Sequence, residues 1–514
     1  MFALAGALAA CGGGGGDPGS PPLPPPGPGV SGPAWWGFGR DAQHAATAAI
    51  ATQDLNRIVW QTPVDLAPQY QLSGALLIHY GSPVVTTQNT VIVPVKTGAT
   101  GGFRFEARSG VNGGLIWSGE SDYVLPAHNW VPSYNIALTT ANRLYAPGAG
   151  GKLFVRDNAD AAAGTLQTAV FFGATAYAAA QATYDATVFI NTPLTVDTAG
   201  NVFFGFIVTG ANPAGLRSGV ARIGADGVGS WAAATELAND VAITKLATNS
   251  APALSPDRST LYVAVNAARV AGQLQSGYLV ALDATTLAVR ARVALLDPGS
   301  AGGTARARVS DDSTASPTVG PDGQVYFGVL ENVFGTHNGR GWLLQFNAVL
   351  GSAGAPGGFG WDNTASIVPA TMVPSYNGPS SYLLMVKYNN YLRAGGDGRN
   401  QIAVIDPGAS QTDAISGLPI MREVLSIAGP TLEAGSSVAV REWCINTAAV
   451  DPATKSILAN SEDGYLYRWD LTTNTFTQRI QLTSGIAESY TPTAIGADGA
   501  VYAINNAVLF SIGR

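Results

Sequence analysis

Cysteine is almost absent from this chain. Its 514 residues hold two, Cys11 and Cys444, with four histidines and four methionines. No CxxC occurs and no HExxH, so the usual thiol-redox and zinc-protease arrangements are excluded, and the lack of GxSxG removes the serine nucleophile elbow. Charge is scarce too, at 12% of residues, with a net charge of −7 and no basic run. A nucleic-acid footprint needs clustered Lys and Arg, so that class of partner is excluded. No apolar stretch is long enough for a membrane-spanning helix. Gly148-Ala149-Gly150-Gly151-Lys152 has a phosphate-loop composition but lies between two strand-like runs with no helix after it, and reads as a turn.

What the chain does have is 63 glycines, 31 prolines and 46% hydrophobic residues, the composition of a turn-rich, well-buried β protein. Residues 1–11, MFALAGALAAC, form a short apolar segment ending in Leu-Ala-Ala-Cys, although no Lys or Arg precedes Cys11. This resembles the lipobox of bacterial lipoproteins, which implies cleavage before Cys11 and lipidation of its thiol. The Gly/Pro-rich residues 12–34 then read as a tether that cannot pack, with a reach of up to about 70 Å. Gly12 after the cysteine implies, by the same resemblance, the outer membrane rather than the inner one. The expectation is a lipid-anchored protein of the bacterial cell envelope or periplasm, touching the membrane only through its anchor. Cys444 is then left without a disulfide partner, and stability must come from the core of residues 35–514.

Within 35–514 one pattern recurs: a short apolar strand, a tight turn with Asp, Asn or Gly, and two or three further alternating strands. Copies begin near Ser82 (SPVVTTQNTVIVPV), Tyr134 (YNIALTTANRLYAP), Thr192 (TPLTVDTAGNVFFGF), Ala251 (APALSPDRSTLYVAV), Ser316 (SPTVGPDGQVYFGV), Tyr376 (YNGPSSYLLMVKY), Asn446 (NTAAVDPATKSILAN) and Thr491 (TPTAIGADGAVYAI). The sixth is degenerate. One copy cannot bury its own faces, so repetition at this spacing predicts an all-β, eight-bladed β-propeller of four-stranded antiparallel blades, with seven blades as the fallback. The last copy lacks an outer strand, while RIVWQTPV at 57–64 is an orphan with outer-strand character. Pairing them would close the ring.

The repeat YLVALDATT, its inner SPx[VL] strand and the opening WWGFGRDAQHAA resemble the quinoprotein (PQQ)-type repeat family. That family includes PQQ-dependent alcohol dehydrogenases and the non-catalytic lipoprotein of the outer-membrane BAM assembly complex. The resemblance covers 35–514 and implies the propeller more strongly than any activity. The dehydrogenases of the family carry adjacent cysteines against the cofactor. This chain has no such pair, so no cofactor is expected, neither PQQ nor Ca²⁺.

In such blades the loops between second and third strands share a face with the loops linking blades. Here the former are long, at 266–276, 331–340 and 389–400, whereas the opposite turns are minimal. Loop elaboration on a rigid scaffold marks a working face. Two loops, at 128–135 and 371–377, share VPSYN, and copies two and six lie opposite one another in an eight-membered ring. The expected mouth therefore gathers His128, Trp130, Tyr134, Asn135, Tyr376 and Asn377. Lys387, Tyr391 and Arg393 join them from the loop after the sixth copy's second strand. Glu442, Trp443 and Tyr490 come from the approaches to copies seven and eight.

Aromatic and amide groups around a polar funnel suit a carbohydrate or protein partner. The same groups also cap strands and satisfy backbone at a channel wall. Asp311-Asp312 and Gly395-Gly396-Asp397-Gly398 have oxygen-rich composition without calcium-loop spacing. The expected function is a monomeric propeller that binds or scaffolds a protein or glycan on its long-loop face. The alternative is a divergent quinoprotein dehydrogenase or a Ca²⁺-dependent propeller enzyme.

Overall fold

The computed structural model describes residues 34–514 except 71–75, 77–79, 100, 127–133, 312–314 and 486–487. Cys11, the tether, His128 and Trp130 lie outside the described residues. The strands form eight antiparallel sheets arranged as the blades of a propeller. Blade 1 is Val84–Val85, Thr90–Lys96, Phe103–Ser109 and Leu115–Ser121. The second strands of blades are buried along most of their length, and throughout in Thr90–Lys96 and Val501–Asn505. Neighbouring blades cover both of their faces, which explains their continuous apolar runs. Outer strands such as Leu115–Ser121 and Thr475–Gln481 alternate between exposed and more buried positions, because one face meets water.

Arg57–Pro63 pairs antiparallel with Val508–Gly513, from Arg57 opposite Gly513 to Pro63 opposite Val508, and so supplies the outer strand of blade 8. The ring is thereby closed by the first and last strands of the domain. Blade 5 departs from the expected four strands. It has Thr318–Val319, Val325–Val329 and Trp342–Phe346, and its outer edge is covered by an irregular segment in which Gly357 exchanges backbone hydrogen bonds with Leu343 at 2.8 and 3.1 Å.

Blade 6, the degenerate copy, has the longest strands. Gln401–Thr412 and Pro419–Ala428 form a hairpin with a register break between Asp406 and Ser410. Beyond that break Met421 N–H donates to Pro356 O at 2.8 Å and Ile420 joins the core of blade 5. The innermost strand of blade 6 is Ser366–Pro369, upstream of Tyr376.

The innermost strands pose a backbone problem. Their inward edges face the channel and would leave N–H and C=O groups unpaired. The segment 35–48 resolves it by passing around the inside of the ring. Trp35 exchanges two bonds with Val85 of blade 1, and Trp36 O accepts from Leu138 of blade 2. Ala42, Gln43, Ala45 and Ala46 accept in turn from Leu254, Val319, Ile367 and Val450 of blades 4 to 7, at 2.7–2.9 Å. Ala42 also packs with Phe203 of blade 3, and Gln53 N–H reaches Gly499 O of blade 8.

The tight path uses left-handed backbone at Gly39, Arg40, His44 and Ala46. A Cβ on Gly39 would lie 2.9 Å from that of His44. His44 is buried with Nδ1 2.7 Å from Pro317 O, and burial holds its pKa down to about 4, so the ring is neutral and donates that bond. The belt lines the channel where the innermost strands approach the short-turn face.

Candidate functional site

Three loops stand out on the opposite face, at 268–276, 330–341 and 389–400, each joining a second to a third strand. Their shapes are fixed from within. Glu331, fully buried at the base of its loop, accepts backbone N–H bonds from Gly335 at 3.0 Å, Gly339 at 2.7 Å and Gly341 at 2.8 Å. His337 stacks on Trp342 at 3.8 Å, and its ring nitrogens meet Gly341 O at 3.0 Å and Asp413 Oδ2 at 3.2 Å. Loop 330–341 of blade 5 is thereby fastened to the far end of the blade 6 hairpin.

The structure separates the predicted mouth residues into three groups. The first group is built into the walls. Tyr134 is buried, stacked on Phe103 at 4.6 Å, with its hydroxyl donating to Pro147 O at 2.8 Å. Asn135 Oδ1 accepts from Ser82 N–H of blade 1 at 2.8 Å. Tyr490 OH accepts from Asn446 Nδ2 at 2.7 Å, while Asn446 O accepts from Thr364 N–H of blade 6 at 3.0 Å. Trp443 is fully buried against Tyr467 and Phe476, and its backbone is clasped by the Asn389 carboxamide through two bonds of 3.2 Å. Such bonds stitch adjacent blades together.

The second group is misplaced by the sequence reading. Tyr376 and Asn377 follow the innermost strand of blade 6 and precede its second strand, so they lie on the short-turn face. Tyr376 OH donates to Asp406 Oδ2 at 2.8 Å, and Asn377 is exposed. The shared VPSYN had set the sixth copy out of register, so these two residues do not face the mouth.

The third group does meet at the mouth: Lys387, Tyr391, Arg393 and Glu442. With them are Asp362, Glu462 and Glu488, and Cys444 in a part not expected of it. Asp362 comes from the link into blade 6, Glu442 and Cys444 from the link into blade 7, and Glu488 from the link into blade 8. Glu462 lies in blade 7's second-to-third loop. Lys387 Nζ, buried, reaches Asp362 Oδ2 at 3.6 Å. Cys444 Sγ is 3.6 Å from Glu488 Oε1, which also accepts Tyr490 N–H at 2.7 Å. Tyr391 OH accepts from Asn389 Nδ2 at 3.1 Å. Arg393 is exposed.

Burial pushes the Glu488 carboxyl up to about 8, against the Tyr490 N–H bond that favours its ionised form. Burial also raises Glu462 well above the ordinary carboxyl range, and the charges of Glu442 and Glu488 raise it further. Glu442 is raised by burial, opposed by Lys387. The Cys444 thiol is pushed well up by burial and by Glu488 and Glu462, so it stays protonated and is no nucleophile. The arrangement is a polar cluster at the junctions of blades 6 to 8 with more carboxyl groups than cations, some held neutral near pH 7.

The oxygen-rich turns weighed as cation sites are internally satisfied. Asp311 takes Lys245 Nζ at 2.5 Å, Asn266 Nδ2 at 3.0 Å and Gln275 Nε2 at 2.8 Å. Asp397 Oδ1 takes Asn390 Nδ2 at 2.7 Å and Arg399 N–H at 2.9 Å. Asp312 lies outside the described residues. Among the described residues no three His, Cys, Asp or Glu side chains converge as metal ligands.

No protein-family model matches the chain, and neither does any curated protein. Solved structures do. A europium-containing methanol dehydrogenase aligns over 92% of this chain and 89% of its own at 10% identity, with a TM-score of 0.45. The quinohemoprotein alcohol dehydrogenase from Comamonas testosteroni aligns over 91% and 69% at 11% identity, TM-score 0.41. BamB from Moraxella catarrhalis aligns over 89% and 99% at 11% identity, TM-score 0.41. At these values the likeness says nothing of activity, and the eight-bladed assignment rests on the chain's own strand pairing.

Proposed function

We propose that this protein is a cell-envelope lipoprotein whose propeller serves as a binding or scaffold module, engaging a protein or glycan partner on the long-loop face. One observation carries the reading. Residues 35–48 run along the inside of the ring near its short-turn face, while the long-loop face gathers Glu442, Glu462 and Glu488 beside internally braced loops. Polar groups on a pre-shaped face are suited to binding a ligand. The sequence lacks the pair of adjacent cysteines that the dehydrogenases of the resembled family carry, which supports a binding role over quinone chemistry.

The test compares the full chain with a variant whose loop 389–400 is replaced by a two-residue turn, and with Asn377→Ala on the other face. Glycan arrays and in-situ crosslinking in the cell envelope are the readouts. Binding is expected to be lost in the loop variant and kept in Asn377→Ala. Equal binding by all three overturns the assignment of the face. The anchor is tested separately, with Cys11→Ser expected to move the protein out of the membrane fraction.

A further inference from the structure

A cleft of about 540 Å³ lies between blades 5 and 6, beside the turn at 320–323 and so on the short-turn face. That volume is within the range of clefts that bind small molecules. The cleft exists because blade 5 has no regular outer strand. Its covering segment pairs Ser352 with Phe346 and Gly357 with Leu343, with more residues between those points than the strand has. Residues 353–356 therefore arch away from the third strand. Beneath the arch is Gln345, only 9% exposed, whose Oε1 accepts no hydrogen bond within the chain. Gln324 Oε1, in the wall of the same cleft, is also buried and without a partner. A Cβ on Gly354 would lie 2.5 Å from Gln345 Oε1, so the space above that oxygen depends on glycine.

The hydroxyl protons of the floor are already committed. Tyr382 OH donates to Asp322 Oδ1 at 2.8 Å, so Tyr326 must be the donor in the 2.7 Å contact between the two tyrosine hydroxyls. Ser380 Oγ donates to Asp406 Oδ1 at 2.6 Å. Asp322 is exposed at the rim and uses only Oδ1, for Tyr382 and for Gln324 N–H. No Lys, Arg or His lines the cleft, and the adjoining Arg422 pairs with Asp406 at 3.0 Å.

A buried acceptor that meets no donor is costly, and a floor of such acceptors favours a ligand that only donates. Ammonium and guanidinium groups have several N–H donors and no acceptor, and their charge complements Asp322. A neutral sugar would bring acceptors to a floor with no proton to give, and an anion is opposed by Asp322. We propose that this cleft binds a small organic cation through its N–H groups, a primary ammonium or a guanidinium, with Gln345, Gln324 and Asp322 accepting. It is a second site, on the face opposite the long loops, and stands independently of the binding role proposed there.

Titration of the full chain with n-butylammonium and n-butylguanidinium, followed by ligand-observed NMR, tests it against tetramethylammonium and glucose. The two N–H cations are expected to saturate one site and to compete for it, equally well when loop 389–400 is replaced. Tetramethylammonium has the charge without the donors and should bind at least tenfold more weakly, as should glucose. Gln345→Leu removes the orphaned acceptor and should weaken n-butylammonium binding at least tenfold. Gly354→Ala, which occupies the space above that oxygen and leaves Gln345 in place, should do the same. Equal binding of tetramethylammonium or glucose, no saturation by either N–H cation, or indifference to both substitutions overturns the inference. Loss of binding in the loop-389–400 variant would move the site to the other face and overturns it too, leaving the long-loop reading intact.

Discussion

Glu488→Gln isolates the cost of holding a carboxyl in the cluster. Glutamine keeps an oxygen to accept Tyr490 N–H and to face Cys444 Sγ, so packing and bonds change little. What it removes is titration. Glu488 has its folded-state pKa raised from 4.5 to about 8, chiefly by burial. The folded protein therefore binds more protons than the unfolded chain between these values, and unfolding stability falls as pH rises through that window. The contribution is fully present below about pH 4.5 and gone above about pH 8.

Integrating from pH 5 to pH 9 gives a loss of about 4 kcal/mol for this one group, at about 1.4 kcal/mol per pKa unit. In a domain of this size that is about 4 °C in Tm. The assay is denaturant unfolding of both proteins at half-unit steps from pH 5 to 9. The expected result is a variant close to wild type at pH 5 and progressively more stable than it towards pH 9. Parallel curves across the range would refute the claim that Glu488 is held neutral, and with it the account of a cluster short of cations.

Two further perturbations bear on the bracing of the site. Glu331→Ala strands two buried N–H groups, of Gly339 and Gly341, and a half-buried one, of Gly335, each losing a charge-assisted bond, and should cost about 3 kcal/mol while opening 330–341 to proteolysis. Unchanged cleavage of that loop would show that the clasp is dispensable. A double-mutant cycle on His337→Ala and Asp413→Ala should give a coupling of about 1–3 kcal/mol by urea unfolding, since the pair joins blade 5's loop to blade 6's hairpin. Additive losses would mean that each side chain serves only its own element.

Much of the scaffold is visible in the sequence because its signals are local. Val84–Val85 followed by Thr90–Lys96 across a turn is a strand pair by composition alone, and Arg57–Pro63 shows the alternation of an outer strand with none upstream to pair with. The sixth blade is harder to read because a recurring VPSYN falls before the innermost strand in blade 2 and after it in blade 6. The inner belt gives no strand signal. Ala42, Ala46 and Ala48 are small, buried residues whose partners are spread over nearly the whole chain. Asp362 and Glu462 look like ordinary loop charges until the ring brings consecutive junctions side by side. Reading each copy in its true register would have put both at the mouth.

That neighbourhood differs in kind from the rest of its face. At three other blade junctions a carboxylate is matched by its own lysine: Asp65 by Lys96 at 3.1 Å, Asp122 by Lys152, and Asp311 by Lys245 at 2.5 Å. Each is a satisfied pair that braces a link, and none needs an outside ligand to account for it. Around blades 6 to 8 the pairing stops at Asp362 and Lys387, and three glutamates follow whose burial works against their ionisation. A propeller gains nothing in stability from that surplus, since apolar residues of similar size would fill the space at lower cost. Under the proposed binding role, groups kept in an unfavourable protonation environment on the long-loop face would serve the ligand that this face engages.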